Sequence, residues 1–407
     1  MTISETVVVH ADAVIHSFDI EPKPLDRLVD EYFRKHRELN SRTRRAIADV
    51  VFNVIRWRLR IEDALSGQGI KKPTREQIVG HYLENAPFDI SGMPSKKSLG
   101  VVAAHYSLPE WFVKRLIKQR GDEDAYRLMA AFKTEAPVTL RTNTLKSSRD
   151  ELVATLEKAG QDVQATEYSP YGITLKKRAA LAADESFKLG LFEMQDEASQ
   201  LASMIVAPEP GEIILDACAG AGGKALMLAM LMNDAGTIVA ADIDERKLKY
   251  LEKRAERAGV QSISIQATKD LERVEKYRGQ CDAVLLDVPC SGSGTLRRSP
   301  DLAFRLKEDD LEAFAAMQRE LLQEYSSWLK PGGRLIYSTC SVLEEENERI
   351  VEDFMHSSGF SGLGRECMAK AGIDQKFITP EGYFKALPSK SSMDGFFACV
   401  MGKPANR

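Results

Sequence analysis

Two periodicities divide the chain. Between 23 and 68, apolar residues fall three and four apart: Leu25, Leu28, Val29, Tyr32 and Phe33, then Ile47, Val50, Val51, Val54, Ile55 and Leu59. That spacing lays one apolar stripe along each helix and predicts a small helical module. A further helical piece is expected from Arg75 to Glu84, and the Pro/Gly/Ser-rich stretch from Pro87 to Ser98 reads as a linker. Beyond it, Pro109 to Gln119 and Ser148 to Ala159 have helical spacing, while Val138 to Arg141 and Gly172 to Leu175 read as strands. The pattern there is that of a small α/β piece.

From Glu212 the pattern changes. Short apolar runs at Ile213 to Leu215, Thr237 to Ala241, Ser262 to Ile265, Ala283 to Leu286 and Arg334 to Tyr337 alternate with long helical patterns. Such alternation predicts an α/β fold with a mostly parallel sheet flanked by helices. Three domains are expected, over 1–90, 105–205 and 206–407. The sequence holds no internal repeat and no low-complexity tract.

Composition narrows the class. With 407 residues, 43% hydrophobic and 29% charged, the chain has the make-up of a soluble globular protein. No apolar run approaches the roughly 18 residues of a membrane helix, and the start, with Glu5, His10 and Asp12, lacks a signal peptide's pattern. A cytoplasmic monomer with no membrane partner is expected. Cys218, Cys281, Cys290, Cys340, Cys367 and Cys399 form no C-x-x-C pair, so free thiols are expected, without disulfides or a metal site. The net charge of −4 gives no global argument for nucleic acid. Locally, Arg34, Lys35, Arg37, Arg42, Arg44, Arg45, Arg56, Arg58 and Arg60 stand against only Glu31, Glu38 and Asp49, a run that could hold phosphates or simply face solvent.

A candidate ligand loop follows the first strand of the second half. Asp216-Ala217-Cys218-Ala219-Gly220-Ala221-Gly222-Gly223-Lys224 passes through small residues into a helix, whose N-terminus offers unpaired N–H groups. Asp242, ending the next strand, can accept hydrogen bonds from ribose hydroxyls; its alternative is a helix cap beside Asp244. A dinucleotide site uses the same devices, but G-x-G-x-x-G would need a third glycine where Ala225 stands. Two later strands end at Asp287-Val288-Pro289-Cys290-Ser291-Gly292-Ser293-Gly294 and Ser338-Thr339-Cys340-Ser341. Ligands of open α/β sheets bind beyond the carboxyl ends of the strands, so both thiols and Asp287 should converge there. Spacing alone does not choose between the thiols. Ser341 followed by Glu344 fits a capping box opening a helix through Val351, which would set Cys340 beside a positive helix end. Cys281 and Cys399 are expected in the core. Arg297 and Arg298 are read as phosphate contacts or plain surface charge.

With these segments the sequence resembles the RNA cytosine-5 methyltransferases of the Sun (NSUN) type, and within them the bacterial 16S ribosomal RNA enzymes. The matching stretches are 216–224, Ala241-Asp242-Ile243-Asp244, 287–294 and 338–341, supported by Asp394-Gly395-Phe396-Phe397, Arg141-Thr142-Asn143-Thr144 and Gln195-Asp196-Glu197-Ala198-Ser199-Gln200. The N-terminal helices are similar to a NusB-like RNA-binding module. The resemblance departs at Ala221, where the family has proline, and near the third strand, where Lys269 and Asp270 stand for an acidic residue.

The resemblance implies a Rossmann-like methyltransferase domain using S-adenosylmethionine. The cofactor would be held by Cys218, Ala219, Gly220, Ala221, Gly222, Gly223, Lys224, Asp242, Asp270 and Asp287. Carbon 5 of cytosine is too weak a nucleophile to take a methyl group unaided, so a thiolate first adds to carbon 6. The resemblance assigns that attack to Cys340 and release of the product to Cys290. Asp287 would serve ring nitrogen 3, with Lys224 close to the reacting groups. The implied substrate is RNA, ribosomal before transfer RNA. An amino-group methyltransferase and a non-catalytic RNA-binding assembly factor are the competing readings.

Overall fold

The apolar stripes of the first 135 residues become the buried faces of seven helices, in a computed structural model that describes residues 5–90, 98–177 and 181–405. By internal contacts the chain forms two units: Met1–Glu135 with Thr295–Asp310, and Ala136–Gly294 with Leu311–Arg407. The partition is not linear, because a segment from the far half of the sequence packs into the helical unit.

In that unit α1 (Glu5–Ile20) buries Val7, Ala11, Val14, Ile15 and Phe18, a stripe the sequence reading passed over. It packs with α2 (Leu25–Lys35), α3 (Ser41–Gly67) and α4 (Arg75–Asn85) around Val50, Val51, Val54 and Ile55. Local signals set the starts: the Asn40 side chain accepts from the Thr43 amide, and Thr74 forms a capping box with Gln77. Helices α5 (Leu99–His105), α6 (Glu110–Arg120) and α7 (Asp122–Ala131) complete the unit. Most of the expected linker, 91–97, lies outside the described residues.

The returning segment carries the short helix α13 (Leu302–Arg305). Arg56, 5% exposed, donates to the Arg297 carbonyl at 2.9 Å, and the Phe18 and Phe304 rings meet edge to face. Arg297, read as a phosphate contact or surface charge, is neither: at 3% exposure it belongs to this interior. The basic run divides in the same way. Arg58 pairs with Asp19 and Glu62, Arg44 donates to two carbonyls and Arg34 pairs with Asp30. Lys35, Arg37, Arg42 and Arg45 are exposed.

The second unit contains two sheets. The smaller is antiparallel, in the order β2-β3-β1-β4, from β1 (Val138–Thr142), β2 (Val163–Ala165), β3 (Gly172–Leu175) and β4 (Phe192–Met194). Helix α8 (Arg149–Lys158), opened by a Ser148–Glu151 capping box, packs Leu152 and Leu156 against Leu140, Ile173 and Phe192. The short α9 (Glu185–Lys188) precedes β4, and α10 (Glu197–Met204) leads to the large sheet.

Five strands of that sheet are parallel, as their apolar runs require: β5 (Ile213–Asp216), β6 (Thr237–Asp242), β7 (Ile263–Ala267), β8 (Cys281–Asp287) and β9 (Leu329–Thr339). Their order is β7-β6-β5-β8-β9, continued by β12 (Phe396–Gly402), antiparallel to β9, and β10 (Ser361–Gly362), antiparallel to β12, with β11 (Phe384–Ala386) also paired to β12. The connecting helices are α11 (Gly223–Leu231), α12 (Glu245–Ala258), α14 (Asp310–Tyr325), α15 (Glu348–Ser358) and α16 (Gly364–Lys370). Two apolar cores form, one around Leu226, Leu251 and Ala398, the other around Val284, Trp328 and Phe397. Among the described residues no helix is long and apolar enough to cross a membrane.

Candidate active site

The loop between β5 and α11 turns through Gly220 and Gly222, with φ of +55° and +82°. A Cβ at Gly222 would also lie 2.0 Å from Leu251 Cδ1, so only glycine fits there. Asp242, ending β6, braces this turn: one carboxylate oxygen accepts from the Gly220 amide at 2.8 Å and the other from the Asp244 amide at 2.8 Å. The helix cap is Asp244, which accepts from the Arg246 amide. From the outer side, Arg254 donates to the Ala221 carbonyl at 2.6 Å and Arg141 to the Gly223 carbonyl at 2.7 Å. Arg254 also pairs with Glu193 of β4, tying the small sheet to the loop. Ala221 thus takes the proline position with its carbonyl engaged.

A cavity of about 340 Å³ opens over this loop, lined by Cys218 to Ala221, Gly223, Lys224, Asp242 and Asp287, and also by Asp216, Lys247, Gln195 and Ser199. Gly222 turns the chain without lining it. The side chain of Asp270 lies outside what the structure describes. Its neighbour Lys269 pairs with Glu245.

Asp216 is the site residue that the sequence reading left unassigned. It is 1% exposed, and neither carboxylate oxygen has a hydrogen-bond partner. Burial, then the negative charge of Asp287, raises its pKa to about 7; Lys224 and a weak contribution from the Cys218 amide offset this only partly. An unpartnered buried carboxyl beside two further carboxylates suits a ligand with a positive centre. Backbone amides and Asp242 suit one that also carries hydroxyls. S-adenosylmethionine, a sulfonium on a ribose, has both.

The reacting groups gather at the ends of β8 and β9. Cys290 Sγ and Cys340 Sγ lie 3.5 Å apart. Lys224 Nζ lies 2.5 Å from Asp287 Oδ2, and Ser338 Oγ donates to Asp287 Oδ1 at 3.1 Å. Lys224 also sits over the Phe396 ring. The loops close on each other at Gly294: its amide donates to the Cys340 carbonyl at 2.8 Å, and its carbonyl accepts from the Gly395 amide at 2.9 Å. A Cβ at 294 would fall 2.2 Å from the Gly395 oxygen, which accounts for the Ser293-Gly294 and Asp394-Gly395 pairs.

The thiols separate by setting. The hydrogen bond to Cys340 and burial push Cys290 well up, so it keeps its proton. Burial holds up Cys218, buried Cys281 rises to about 12, and Cys399 lies in the core as expected. The expected capping box at Ser341 does not form. A short 3₁₀ turn covers Glu344–Glu346, and α15 starts only at Glu348 after Asn347. Ser341 Oγ donates instead to Glu346, a residue to which the sequence reading gave no place in the site. The helix start expected beside Cys340 is therefore absent. A larger cavity, about 710 Å³, lies in the helical unit near Glu62, Trp111 and Phe304, but no thiol or glycine loop lines it.

Residues 203–401 match the family described as 16S rRNA methyltransferase RsmB/F, and 108–182 match the ferredoxin-like domain described for RsmF/B-like methyltransferases. The ribosomal RNA small subunit methyltransferase B of Vibrio cholerae is 31% identical over 342 residues, 84% of this chain and 76% of that protein. A probable ribosomal RNA small subunit methyltransferase B of Bacillus subtilis is 32% identical over 305 residues, 74% of this chain and 68% of its own. Among solved structures, that of PH0851 superposes with a TM-score of 0.82 at 26% identity, covering 99% of this chain and all of the other.

Proposed function

The chain belongs to the RsmB/F family of 16S rRNA methyltransferases, and from that premise we propose that it methylates carbon 5 of a cytosine in 16S ribosomal RNA through a covalent thiol adduct. The observation that carries this reading is the pair of sulfurs 3.5 Å apart beside the Lys224–Asp287 ion pair. An enzyme that attacks with an amino lone pair needs neither thiol.

When bound, S-adenosylmethionine supplies an electrophilic methyl group. Asp242 and the loop amides would hold its ribose, and the carboxylate of Asp216 would face its positive charge. The target cytosine leaves its stack to reach the site. Cys340, as thiolate, adds to carbon 6, and the ring's electrons shift toward nitrogen 3. The Lys224–Asp287 ion pair meets that charge, and the Asp287 Oδ1 that accepts from Ser338 has a second lone pair for the exocyclic amine. Carbon 5, now nucleophilic, takes the methyl group. Water then takes the carbon 5 proton, the ring is restored and the Cys340 sulfur leaves as a thiolate, toward which the Cys290 thiol, 3.5 Å away, donates its hydrogen. RNA phosphates would be held by the exposed Lys35, Arg37, Arg42 and Arg45.

RNA carrying 5-fluorocytosine tests the scheme, because fluorine blocks the elimination. The wild-type protein should form a denaturant-stable adduct, Cys340→Ala none, and Cys290→Ala should accumulate an adduct even on ordinary RNA. An active wild-type protein without any adduct rules out the thiol route. Bisulfite sequencing of 16S RNA from a deletion strain identifies the substrate.

A further inference from the structure

Below the two thiols lies a carboxylate that the reaction scheme does not use. Glu346 is fully buried, at 0% exposure. Its Oε1 accepts from the Ser291 amide at 2.7 Å and from Gln318 Nε2 at 3.3 Å; its Oε2 accepts from Ser291 Oγ at 2.6 Å and Ser341 Oγ at 2.5 Å. Its own carbonyl takes the Tyr337 hydroxyl at 2.6 Å. Ser291 directly follows Cys290 and Ser341 directly follows Cys340. One side chain therefore ties together the two loops whose ends carry the sulfurs.

We infer that Glu346 is a positioning residue of the reaction: its carboxylate fixes the Cys290 and Cys340 loops in one register and so sets both their spacing and which sulfur attacks. The inference rests on the thiol scheme above. Three features support it. One oxygen takes two N–H donors and the other two hydroxyls, an arrangement that satisfies a carboxylate in full and that an amide copies only if both hydroxyls turn to accept. A buried group satisfied in this way is rigid, since breaking any one bond leaves a lone pair without a partner and without water to replace it. The charge is also one of the causes, after the hydrogen bond to Cys340 and burial, that hold the proton on Cys290 and so leave Cys340 as the sulfur for attack.

The test is Glu346→Gln, which keeps the volume and removes the charge, measured on the full chain in two ways. Steady-state kinetics should show kcat lowered about 100-fold, the scale set by a small misplacement of reacting groups, with KM for both substrates unchanged. Iodoacetamide alkylation without RNA, read by peptide mass spectrometry, should favour Cys340 in the wild type and shift toward Cys290 in the variant. Unchanged kcat, or a lowered kcat with the wild-type alkylation pattern, overturns the inference. Should Glu346→Gln fail to fold, Ser291→Ala and Ser341→Ala each remove one tie and are judged on the same two readouts. Failure of the thiol scheme is separate: it appears as a wild-type protein with no 5-fluorocytosine adduct, whereas the alkylation pattern reports on Glu346 without RNA.

Discussion

Asp216 shows how a residue's role can be set by neighbours the sequence does not reveal. As text it is the last residue of an apolar run; in the fold β6 and β8 flank it, and its carboxyl is sealed from water. The raised pKa has a definite sign. An ordinary aspartyl group titrates near 4, so between about 4 and 7 the folded chain holds a proton that the unfolded chain has lost, and stability falls as pH rises through that window. A shift of this size corresponds to about 4 kcal/mol as an upper bound. Asp216→Asn should therefore be more stable than wild type at pH 8 and show a flatter dependence from pH 5 to 8, while binding S-adenosylmethionine more weakly. Urea melts at several pH values, with equilibrium dialysis alongside, measure both. Parallel pH dependence of the two proteins would refute the assignment. The convergence of the two cysteines, by contrast, was legible from sequence because each lies within three residues of the end of an apolar strand. Glu346 was not, because an acidic run reads as solvated surface.

At the scale of elements, one motif behaves in two ways. Ser148-x-x-Glu151 forms a full capping box, with the hydroxyl accepting from the Glu151 amide and the carboxylate accepting from the Ser148 amide. Ser341-x-x-Glu344 has the same spacing, yet no helix starts there. The difference lies in what else competes for the hydroxyl. Ser148 is exposed and has only its own helix to bond, whereas Ser341 is buried and donates to the Glu346 carboxylate. Tertiary hydrogen bonding overrode a local signal, and no reading of spacing could have foreseen it. The two serines should accordingly separate stability from catalysis. Ser148→Ala should cost about 1 kcal/mol of stability, the usual value of an N-cap, and leave kcat unchanged. A kcat effect at Ser148 would mean that α8 reaches the chemistry by a route its packing does not show. The strands tell a simpler story: β5, β6, β8 and β9 were legible because burial on both faces demands apolar runs, and β7, a partly buried edge strand, from its place in the alternation of strands and helices. The short edge strands β2, β4, β10 and β11 were not, having two to three residues each to carry a pattern.

For the whole molecule, removing residues 1–90, the helical module expected from the sequence, would not test RNA binding cleanly, because of the packing. Arg56 of α3 donates to the Arg297 carbonyl, the Leu59 amide donates to Ser107 Oγ, and Lys133 reaches the Arg56 and Ser107 carbonyls. A cut at 90 would strip α5 to α7 and the 295–310 segment of their core. Charge neutralisation leaves that core intact. Of the nine basic residues from Arg34 to Arg60, Lys35, Arg37, Arg42 and Arg45 make no ion pair among the described residues and are exposed, so they can exchange solvent counterions for phosphates. Replacing all four by glutamine should weaken RNA binding and reduce the slope of log K against log[salt] by roughly 0.7 to 0.9 for each phosphate no longer neutralised. Affinity for S-adenosylmethionine, whose proposed site lies in the other unit, should not move. Substituting Arg58 instead should lower stability, because its partners are Asp19 and Glu62 rather than solvent. Filter binding across a salt series distinguishes the two sets, and an unchanged slope in the fourfold variant would place the RNA on another face.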